Sequence, residues 1–379
     1  MKKDAKKEKK NKKLKNNLPK RAILSQRDAL HWSNIPLGIA SITNKKTGTI
    51  YWRLNNLYNV GENNIETVPS SGLCIAGGVG SGKTILTLGI LSHTAKFSEM
   101  FQVLGVDPKR VEFSRHKDKF NCLLLDADSA AQLAETVREV MTNRYKFLKE
   151  RMVNTIAKLC NNAANNYKYD NTTNIEVNYY TINGKSYQFD EILAVETPLD
   201  PTDSRYDKKI QIFPEGKQLI GLTVETIYNK LQENNSIGLE LNGKVLKKNN
   251  IKVSKGLYKP KAILLLFDSF EELMHSDDSE AVDKLKSALG AISRLGACVW
   301  CYTAFTCQRI NDSVLTTELR NNVQMYCLMG GFDDVTSTFV FEKDISDLCK
   351  PLIKGRGFIK NYNSIYETQI YEGEEIFFG

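Results

Sequence analysis

Residues 77–84 read Gly-Gly-Val-Gly-Ser-Gly-Lys-Thr, and this stretch decides how the rest of the chain is interpreted. It matches the pattern G-x-x-x-x-G-K-[ST], in which glycines let main-chain N–H groups converge on phosphate oxygens. The apolar run 73–76 before it suits a buried strand, and residues 85–91 after it suit a buried helix. This context predicts a triphosphate site, with Lys83 at the β- and γ-phosphates and Thr84 on a metal ion.

The expected ligands follow from the same motif. A loop of this kind takes a nucleoside triphosphate together with Mg²⁺, so ATP and Mg²⁺ are the expected cofactors. The helix that follows the loop adds a partial positive charge beneath the phosphates. The expected nucleotide contacts are Gly77, Gly78, Val79, Gly80, Ser81, Gly82, Lys83, Thr84 and Ile85.

Two downstream carboxylates follow apolar runs. Residues 262–267 read as a fully buried strand that ends in Asp268, the arrangement in which an aspartate supports Mg²⁺ through Thr84 or water. Many strands end in Asp, so Asp268 is predicted to support the metal only because the chain also contains the phosphate loop. Asp107 follows the strand-like run 101–106, where open α/β sheets bind ligands, although a polar turn that ends the strand is the simpler explanation.

The order of apolar runs predicts the fold class. Core strands alternate with helices, which is typical of an α/β protein with a doubly wound, mainly parallel sheet. Residues 129–156 are predicted as one long helix and residues 297–302 as a core strand. The basic residues predicted for the solvated face of the long helix are Arg138, Arg144, Lys146, Lys149 and Arg151.

A composition change interrupts this pattern and predicts an inserted module. Asn- and Tyr-rich sequence begins near residue 160, and the pairs Asn183-Gly184 and Asn242-Gly243 are strong hairpin signals. Strand-like pieces include residues 185–195 and 210–213. We therefore predict a small β-rich insertion to which the sequence assigns no chemistry. The predicted divisions are a disordered basic tail (1–21), a first core part (22–159), the module (160–258) and a second core part (259–379).

The net charge is concentrated at the start of the chain. Of 379 residues, 52 are Lys or Arg and 44 are Asp or Glu, a net charge of +8. Residues 1–21 hold 11 basic and 2 acidic side chains, so the tail carries +9 and the remainder −1. A solubilising tail, a phosphate-contacting arm and a contact to an acidic partner all remain open.

The cysteines and the lengths of the apolar runs indicate the cellular compartment of the protein. The eight cysteines lie mostly within apolar runs, which indicates buried thiols in a reducing compartment. The pair Cys298 and Cys301 has C-x-x-C spacing but no second pair or nearby histidine, so we expect no metal or redox role. No apolar stretch has the length that spans a bilayer, and no apolar segment follows the basic start. The expected location is the cytoplasm, or the host cytoplasm if the chain is viral.

Six separated stretches resemble the FtsK/SpoIIIE family of DNA translocases, in the wider FtsK–HerA group. Residues 107–114, Asp-Pro-Lys-Arg-Val-Glu-Phe-Ser, are similar to the family's D-P-K-x-V-E-L-S, and residues 268–274 resemble its D-E-F-A-D-L-M. The resemblance covers about residues 35–376 and is interrupted by 160–258. The other matching stretches are 73–84, 144–156, Gln308-Arg309 with 319–323, and 355–357.

The resemblance implies a RecA-like P-loop ATPase that assembles into a ring, usually a hexamer, and moves double-stranded DNA through its pore. DNA as the substrate is implied by the family alone. The expected partners are double-stranded DNA and other copies of this chain, with a portal, membrane or relaxosome-type protein as a further candidate. Since 22 residues follow Gly357, too few for the family's sequence-reading domain, a sequence-blind packaging or transfer motor fits better.

One departure from the family concerns catalysis. The family's catalytic glutamate follows the strand aspartate directly, and Ser269 occupies that position here. A serine cannot accept a proton from water as a carboxylate does, so Glu271 or Glu272 is the expected substitute. The expected catalytic set is Lys83, Asp268, Glu271, Glu272 and Gln308. Gln308 would sense the γ-phosphate or merely satisfy a turn, and the arginine-finger candidates are Arg309, Arg320 and Arg356.

Two alternatives to a DNA motor stay open. A ring subunit that binds nucleotide with weak or no hydrolysis is favoured by Ser269. A protein-export ATPase of the type VII kind is the other alternative, because that class uses relatives of this fold.

Overall fold

The computed structural model describes most of the chain, with short gaps. It covers residues 18–22, 24, 31–41, 47–56, 58, 60, 61, 64–160, 172–203, 206–234, 236–348 and 353–371. The predicted basic tail up to residue 17, and residues 161–171 of the predicted link, lie outside the described residues.

The described residues form strands, α-helices and short 3₁₀ turns. The strands are β1 Asn34–Ser41, β2 Thr47–Arg53, β3 Gly72–Gly77, β4 Phe101–Val106, β5 Cys122–Leu124, β6 Glu176–Ile182, β7 Lys185–Gln188, β8 Ile192–Pro198, β9 Lys217–Thr223, β10 Glu240–Leu241, β11 Lys244–Val245, β12 Lys252–Leu257, β13 Ala262–Phe267, β14 Cys301–Cys307, β15 Met325–Met329, β16 Arg356–Asn361 and β17 Ser364–Ile370. The helices are α1 Lys83–Lys96, α2 Ala127–Glu150, α3 Ile156–Leu159, α4 Tyr206–Ile212, α5 Val224–Glu233, α6 Phe270–Met274, α7 Ser279–Leu295, α8 Thr317–Asn322 and α9 Asp334–Phe341.

A ten-stranded sheet organises the molecule, in the order β2-β1-β17-β16-β15-β3-β14-β13-β4-β5. The strands from β15 to β5 are parallel, and the remaining four pair antiparallel. Every residue of β3, β4, β13 and β14 is buried, which explains why β3 and β13 read as continuous apolar runs. The prediction of an α/β fold with a mainly parallel sheet is confirmed.

This topology brings distant segments to one edge. Strand β14 lies between β3, which precedes the phosphate loop, and β13, which ends before Asp268. The register pairs Ala76 with Cys307, and Phe267 with both Phe305 and Val106. Because the carboxyl ends of parallel strands share an edge, the loop, Asp107, Asp268 and Gln308 are collected there.

Two smaller antiparallel sheets lie between β5 and β13 in sequence. One has the order β11-β10-β8-β9 and the other β12-β6-β7. Both Asn-Gly pairs form the predicted hairpin turns, with φ of 49° at Asn183 and 53° at Asn242. The β-rich content is as predicted, while the boundaries at residues 160 and 258 stay predictions.

Several predicted elements were wrong in detail. Residues 210–213, predicted as a strand, fall at the end of helix α4, where Lys209 pairs with Asp203 at 2.7 Å. The run 185–195 divides into β7 and β8, and the first part of 297–302 is a 3₁₀ turn that precedes β14. The long helix ends at Glu150. Among the described residues, no helix combines the length and apolarity needed to cross a membrane.

The prediction of a solvated basic face on α2 is wrong for Arg144, which is buried. Its side chain is 2% exposed and its guanidinium lies 2.9 Å from Asp190 Oδ2. Tyr258 Oη donates to the same oxygen at 2.6 Å, and Arg144 Nη1 donates to the Val299 carbonyl at 2.9 Å. The helical spacing from Val137 places Arg144 on the apolar face of α2. The network therefore ties the core helix to the inserted residues, whereas Lys146, Lys149 and Arg151 are exposed as predicted.

Candidate functional site

The loop between β3 and α1 has a backbone that requires glycine. Gly77 has a φ of 154° and Gly82 a φ of 112°. A Cβ atom on Gly77 would overlap the carbonyl oxygen of Met329, and one on Gly82 would lie 3.2 Å from the Gly355 backbone. Side chains at these positions would push the loop away from β15 and β16, so the glycines fix its path.

The first turn of α1 leaves its main-chain donors available. Gly82 precedes the helix and provides no side-chain cap, and the first turn contains no acidic residue. The initial N–H groups of a helix have no intrahelical acceptor, and the helix dipole favours an anion there. The Ser81 hydroxyl is also buried without a hydrogen-bond partner among the described residues. The donors on the loop and helix thus suit phosphate oxygens.

Lys83 is folded back over this loop. Its Nζ donates to the carbonyl oxygens of Gly77 at 2.5 Å and Gly78 at 3.0 Å. Burial lowers the pKa of Lys83, and the negative charges of Glu271 and Asp268 oppose that shift. Asp268 follows β13 and Glu271 lies on α6, so both carboxylates come from the same edge of the sheet as the loop lysine.

Asp268 is held by a hydroxyl from the neighbouring strand. Thr306 Oγ1 donates to Asp268 Oδ1 at 2.7 Å, and Ser269 Oγ donates to Oδ2 at 3.3 Å. The Ser269 N–H donates to Thr306 Oγ1 at 2.9 Å. Burial raises the pKa of Asp268. Thr306 is not among the predicted site residues, although its place near the end of β14 could have indicated it.

A hydroxyl and a carboxylate make a suitable donor set for Mg²⁺. Thr84 lies half-buried in the first turn of α1, and Asp268 ends β13 at the same edge. Mg²⁺ binds oxygen ligands and keeps several waters, so one hydroxyl and one carboxylate beside phosphates suffice. The predicted pair therefore fits the metal chemically.

Glu271 and Glu272 differ in their surroundings. The backbone turns at Ser269, where φ is 49°, and helix α6 then begins. The Glu271 side chain is 14% exposed and that of Glu272 is 51% exposed. Glu271 Oε1 accepts from the Gln308 N–H at 3.3 Å, and its Oε2 is buried without a partner among the described residues. Burial raises the pKa of Glu271. Glu271 thus faces inward, while Glu272 pairs with Lys109 at 3.1 Å near solvent.

Asp107 belongs to the same cluster. Its side chain is fully buried at the end of β4. The Ser114 N–H and hydroxyl both donate to Asp107 Oδ2 at 2.9 Å, whereas Oδ1 has no partner among the described residues. The charge of Asp107 contributes to the raised pKa of Asp268. A polar turn that only ends the strand does not account for this buried carboxylate.

Gln308 and Arg309 line an opening beside the loop. A cavity of about 410 Å³ lies next to Gly77 and Gly78. Gln308 and Arg309 are exposed on its wall. Both residues therefore lie beside the loop of their own chain.

The other two finger candidates lie elsewhere. Arg356 is 3% exposed, and its guanidinium bonds to Gln369, Glu367 and the Pro19 carbonyl at 3.1, 3.3 and 2.8 Å. These bonds within its own chain argue against Arg356 as an arginine finger. Arg320 stacks on the Phe339 ring at 4.7 Å and lines a separate cavity of about 820 Å³ that contains none of the loop residues.

Comparisons with solved structures identify the fold. No protein-family model and no curated protein matches the sequence. The pCW3 conjugation coupling protein TcpA, in a monomer form with ATPγS, is 18% identical with a TM-score of 0.57, over 94% of this chain and 71% of that one. EssC ATPases 2 and 3 from Geobacillus thermodenitrificans are 14% identical with a TM-score of 0.54, over 94% of this chain and 48% of that one.

The structural neighbours of this chain are P-loop ATPases of the FtsK/HerA type, and it shares their RecA-like fold. The large, mainly parallel sheet is common to them, and the antiparallel sheets between β5 and β13 are additional. The loop between β3 and α1 therefore lies in a fold that this chain shares with those neighbours.

Proposed function

We propose that this chain is an ATP-dependent motor of the FtsK type that moves double-stranded DNA, in viral genome packaging or mobile-element transfer. The observation that supports the ATPase part is that Lys83, Asp268 and Glu271 all follow the carboxyl ends of neighbouring parallel strands of one sheet. The DNA part is supported by the sequence resemblance and by the likeness to a conjugation coupling protein.

The loop and the first turn of α1 would bind the nucleotide. The open N–H groups and Lys83 Nζ bind the triphosphate, after Lys83 releases the carbonyls of Gly77 and Gly78. Thr84 and Asp268 would hold Mg²⁺, which neutralises charge on the phosphate oxygens when bound. Thr306 and Ser269 keep the Asp268 carboxylate oriented through their hydroxyl hydrogen bonds.

Glu271 is the residue that we propose takes the proton from the attacking water. Ser269 lacks a carboxylate, whereas Glu271 has a buried Oε2 without a hydrogen-bond partner in the described part of the chain, and burial raises its pKa. A raised pKa makes a carboxylate a stronger base near neutral pH. Gln308 would position the γ-phosphate or the water, and Glu272 would act only through Lys109.

An arginine from a neighbouring copy would complete the site in a ring. Arg309 and Arg320 are the remaining candidates for that role, since Arg356 is bonded within its own chain. We propose a homo-hexameric ring, with a portal, membrane or relaxosome-type partner. We also propose a cytoplasmic location, supported by the burial of six of the seven cysteines that the structure describes.

ATP turnover with and without long duplex DNA tests the proposal. We expect Mg²⁺-dependent turnover that duplex DNA stimulates, and a solution mass that indicates a ring. Lys83→Ala should remove turnover, and Lys96→Ala, an exposed lysine at the far end of α1, should not. No turnover by the wild type with duplex DNA and Mg²⁺ present would refute the motor.

A nucleotide-binding ring subunit without hydrolysis is the second candidate, because Ser269 replaces the family's glutamate. It predicts a silent wild type that binds ATP, and turnover restored by Ser269→Glu. Turnover in the wild type that Glu271→Gln removes would exclude it. If the wild type hydrolyses ATP but binds no duplex DNA at low salt, the protein-export alternative gains support instead.

A further inference from the structure

Asp107 is a buried carboxylate to which the proposed function gives no role. Its side chain is fully buried where β4 ends. The Ser114 N–H and hydroxyl both donate to Asp107 Oδ2 at 2.9 Å, which fixes the orientation of the carboxylate. The other oxygen, Oδ1, is buried and has no hydrogen-bond partner among the residues that the structure describes. Because an unsatisfied buried oxygen is costly, Oδ1 suits a donor from outside the protein.

The backbone places Asp107 beside Asp268. Strands β4 and β13 are parallel neighbours, and their last residues, Val106 and Phe267, are paired. The Asp268 N–H donates to the Val106 carbonyl oxygen at 2.9 Å, so the ladder extends to the next position. Asp107 and Asp268 occupy that next position, and side chains in register on neighbouring strands lie on the same face of a sheet. The two carboxylates therefore end adjacent strands on one face.

This pair of carboxylates lacks a basic partner. In the part of the chain that the structure describes, no basic side chain lies within 4.0 Å of the Asp107 or Asp268 carboxylate. Lys109 pairs with Glu272 at 3.1 Å, and Lys83 donates to carbonyl oxygens of the phosphate loop. Since neighbouring buried carboxylates repel each other, the pair suits a cation from outside the chain. Mg²⁺ is the cation that the proposed function supplies.

The hydrogen bonds of the two carboxylates indicate different roles. Both oxygens of Asp268 are oriented by hydroxyls, from Thr306 and Ser269, which suits a residue that faces the metal. Mg²⁺ keeps several of its waters in a nucleotide site, and the hydrogen atoms of those waters need acceptors. Asp107 Oδ1 retains its full capacity to accept. Groups that hold the waters or ligands of a metal commonly change its affinity by about 10–100-fold.

We propose that Asp107 is a positioning residue that accepts a hydrogen bond from a water molecule on the Mg²⁺ held by Thr84 and Asp268. The inference rests on the proposed function, because it takes the nucleotide site as given, and it adds the end of β4 to that site. Ser114 orients Asp107 as Thr306 orients Asp268. The role accounts for a carboxylate that is buried, oriented on one oxygen and unused on the other.

Asp126 offers a matched control at the neighbouring strand. It lies two residues after β5, which pairs with β4, and it too accepts from a serine. The Ser129 N–H donates to Asp126 Oδ1 at 3.0 Å, and the Ser129 hydroxyl donates to Oδ2 at 2.8 Å. Both Asp126 oxygens thus have a partner within the chain, where they cap α2. Asn caps a helix about as well as Asp, so Asp126→Asn should be tolerated.

The test compares Mn²⁺ binding and ADP binding in the full chain. Asp107→Asn keeps an oxygen that can accept from Ser114 and replaces Oδ1 by an NH₂ group, which cannot accept. Electron paramagnetic resonance measures the affinity of Mn²⁺ for the ADP complex, and we expect Asp107→Asn to lower it by about 10–100-fold. Titration calorimetry in EDTA measures ADP binding without metal, which should not weaken. Asp126→Asn should leave both affinities unchanged.

Thermal unfolding without metal separates this role from a structural one. Asp107→Asn removes one of two neighbouring buried charges, so the midpoint of unfolding in EDTA should not decrease. A structural role predicts instead a lower midpoint and weaker ADP binding in EDTA, and either result would overturn the inference. Ser114→Ala retains Asp107 and removes one of the two hydrogen bonds that orient it. This variant should weaken Mn²⁺ binding by less than Asp107→Asn does, and an unchanged Mn²⁺ affinity would count against the inference.

The remaining outcomes distinguish the inference from the proposed function. If Mn²⁺ affinity is the same in Asp107→Asn and the wild type, or falls equally in Asp107→Asn and Asp126→Asn, the role of Asp107 is wrong and the nucleotide site stands. If the wild type binds no ADP with or without metal, the proposed function itself fails.

Discussion

Charged side chains have different surroundings at the ATP site and in the inserted sheets. At the site, Lys83 and the carboxylates of Asp268 and Asp107 are wholly or partly buried, and most of their polar atoms are bonded. On β12, Lys252 and Lys255 are exposed. A buried charge is costly without partners, so the site needs fixed geometry, whereas an exposed lysine is stabilised by water. The comparison shows that a sequence motif identifies the buried site, whereas the exposed lysines are apparent only from a count of charged residues.

The largest expected effect is the loss of the loop lysine. Lys83→Ala should reduce ATP turnover by about 10³-fold, because a positioned donor at the transferred phosphate is removed. ATP affinity, measured by titration calorimetry, should fall as well. Lys96→Ala should match the wild type, since Lys96 is exposed at the end of α1. Unchanged nucleotide binding in Lys83→Ala would show that the site is wrongly assigned.

Loss of the buried network between α2 and the inserted residues should have the next largest effect. Arg144→Met leaves the Asp190 carboxylate buried with Tyr258 as its remaining partner, so we expect a loss of about 3–5 kcal/mol in the free energy of unfolding. Urea denaturation measures it. Lys149→Met on the same helix is exposed and should change that free energy by less than about 0.5 kcal/mol. Equal effects of the two substitutions would mean that the buried network does not contribute to the free energy of unfolding.

The two glutamates of α6 sharpen the comparison of buried with exposed charge. Glu271→Gln should lower turnover by about 10²-fold with ATP binding retained, because a general base contributes about that much. Glu272→Gln should stay within about threefold, since Glu272 lies near solvent beside Lys109. Steady-state turnover and ATP titration measure both variants. The reverse order of effects would transfer the role to Glu272.

The smallest effect concerns the hydroxyl that holds Asp268. Thr306→Val keeps the side-chain shape and removes the donor to Asp268 Oδ1, a hydrogen bond of about 1–1.5 kcal/mol. We expect about a tenfold rise in the KM for MgATP. Thr142→Val on the exposed face of α2 is the control. An unchanged KM in Thr306→Val would show that Asp268 is oriented without Thr306.

Much of the fold was accessible from the sequence because its central strands are buried on both faces. Strands β3 and β13 therefore read as unbroken apolar runs, and Gly77, Gly80 and Gly82 have positive φ angles that other residues rarely adopt. These signals are local, so the sequence alone carries them.

The missed features depend on contacts between distant segments. Arg144 follows the apolar spacing of α2, but its partner Asp190 lies 46 positions away. Helix α4 was mistaken for a strand because the ion pairs of Lys209 with Asp203 and Asp128 are not visible as periodicity. The choice between Glu271 and Glu272 depends on the left-handed turn at Ser269 and on the end of β14. Such tertiary information could not be obtained from one sequence.

Displacement of a third strand from a duplex tests the central claim most directly, because it requires ATP hydrolysis and movement together. We predict that the wild type releases the third strand with MgATP, and that Lys83→Ala releases none. A non-hydrolysable ATP analogue should also give no release. ATP hydrolysis by the wild type without any release of the third strand, or release that needs no ATP, would contradict the account.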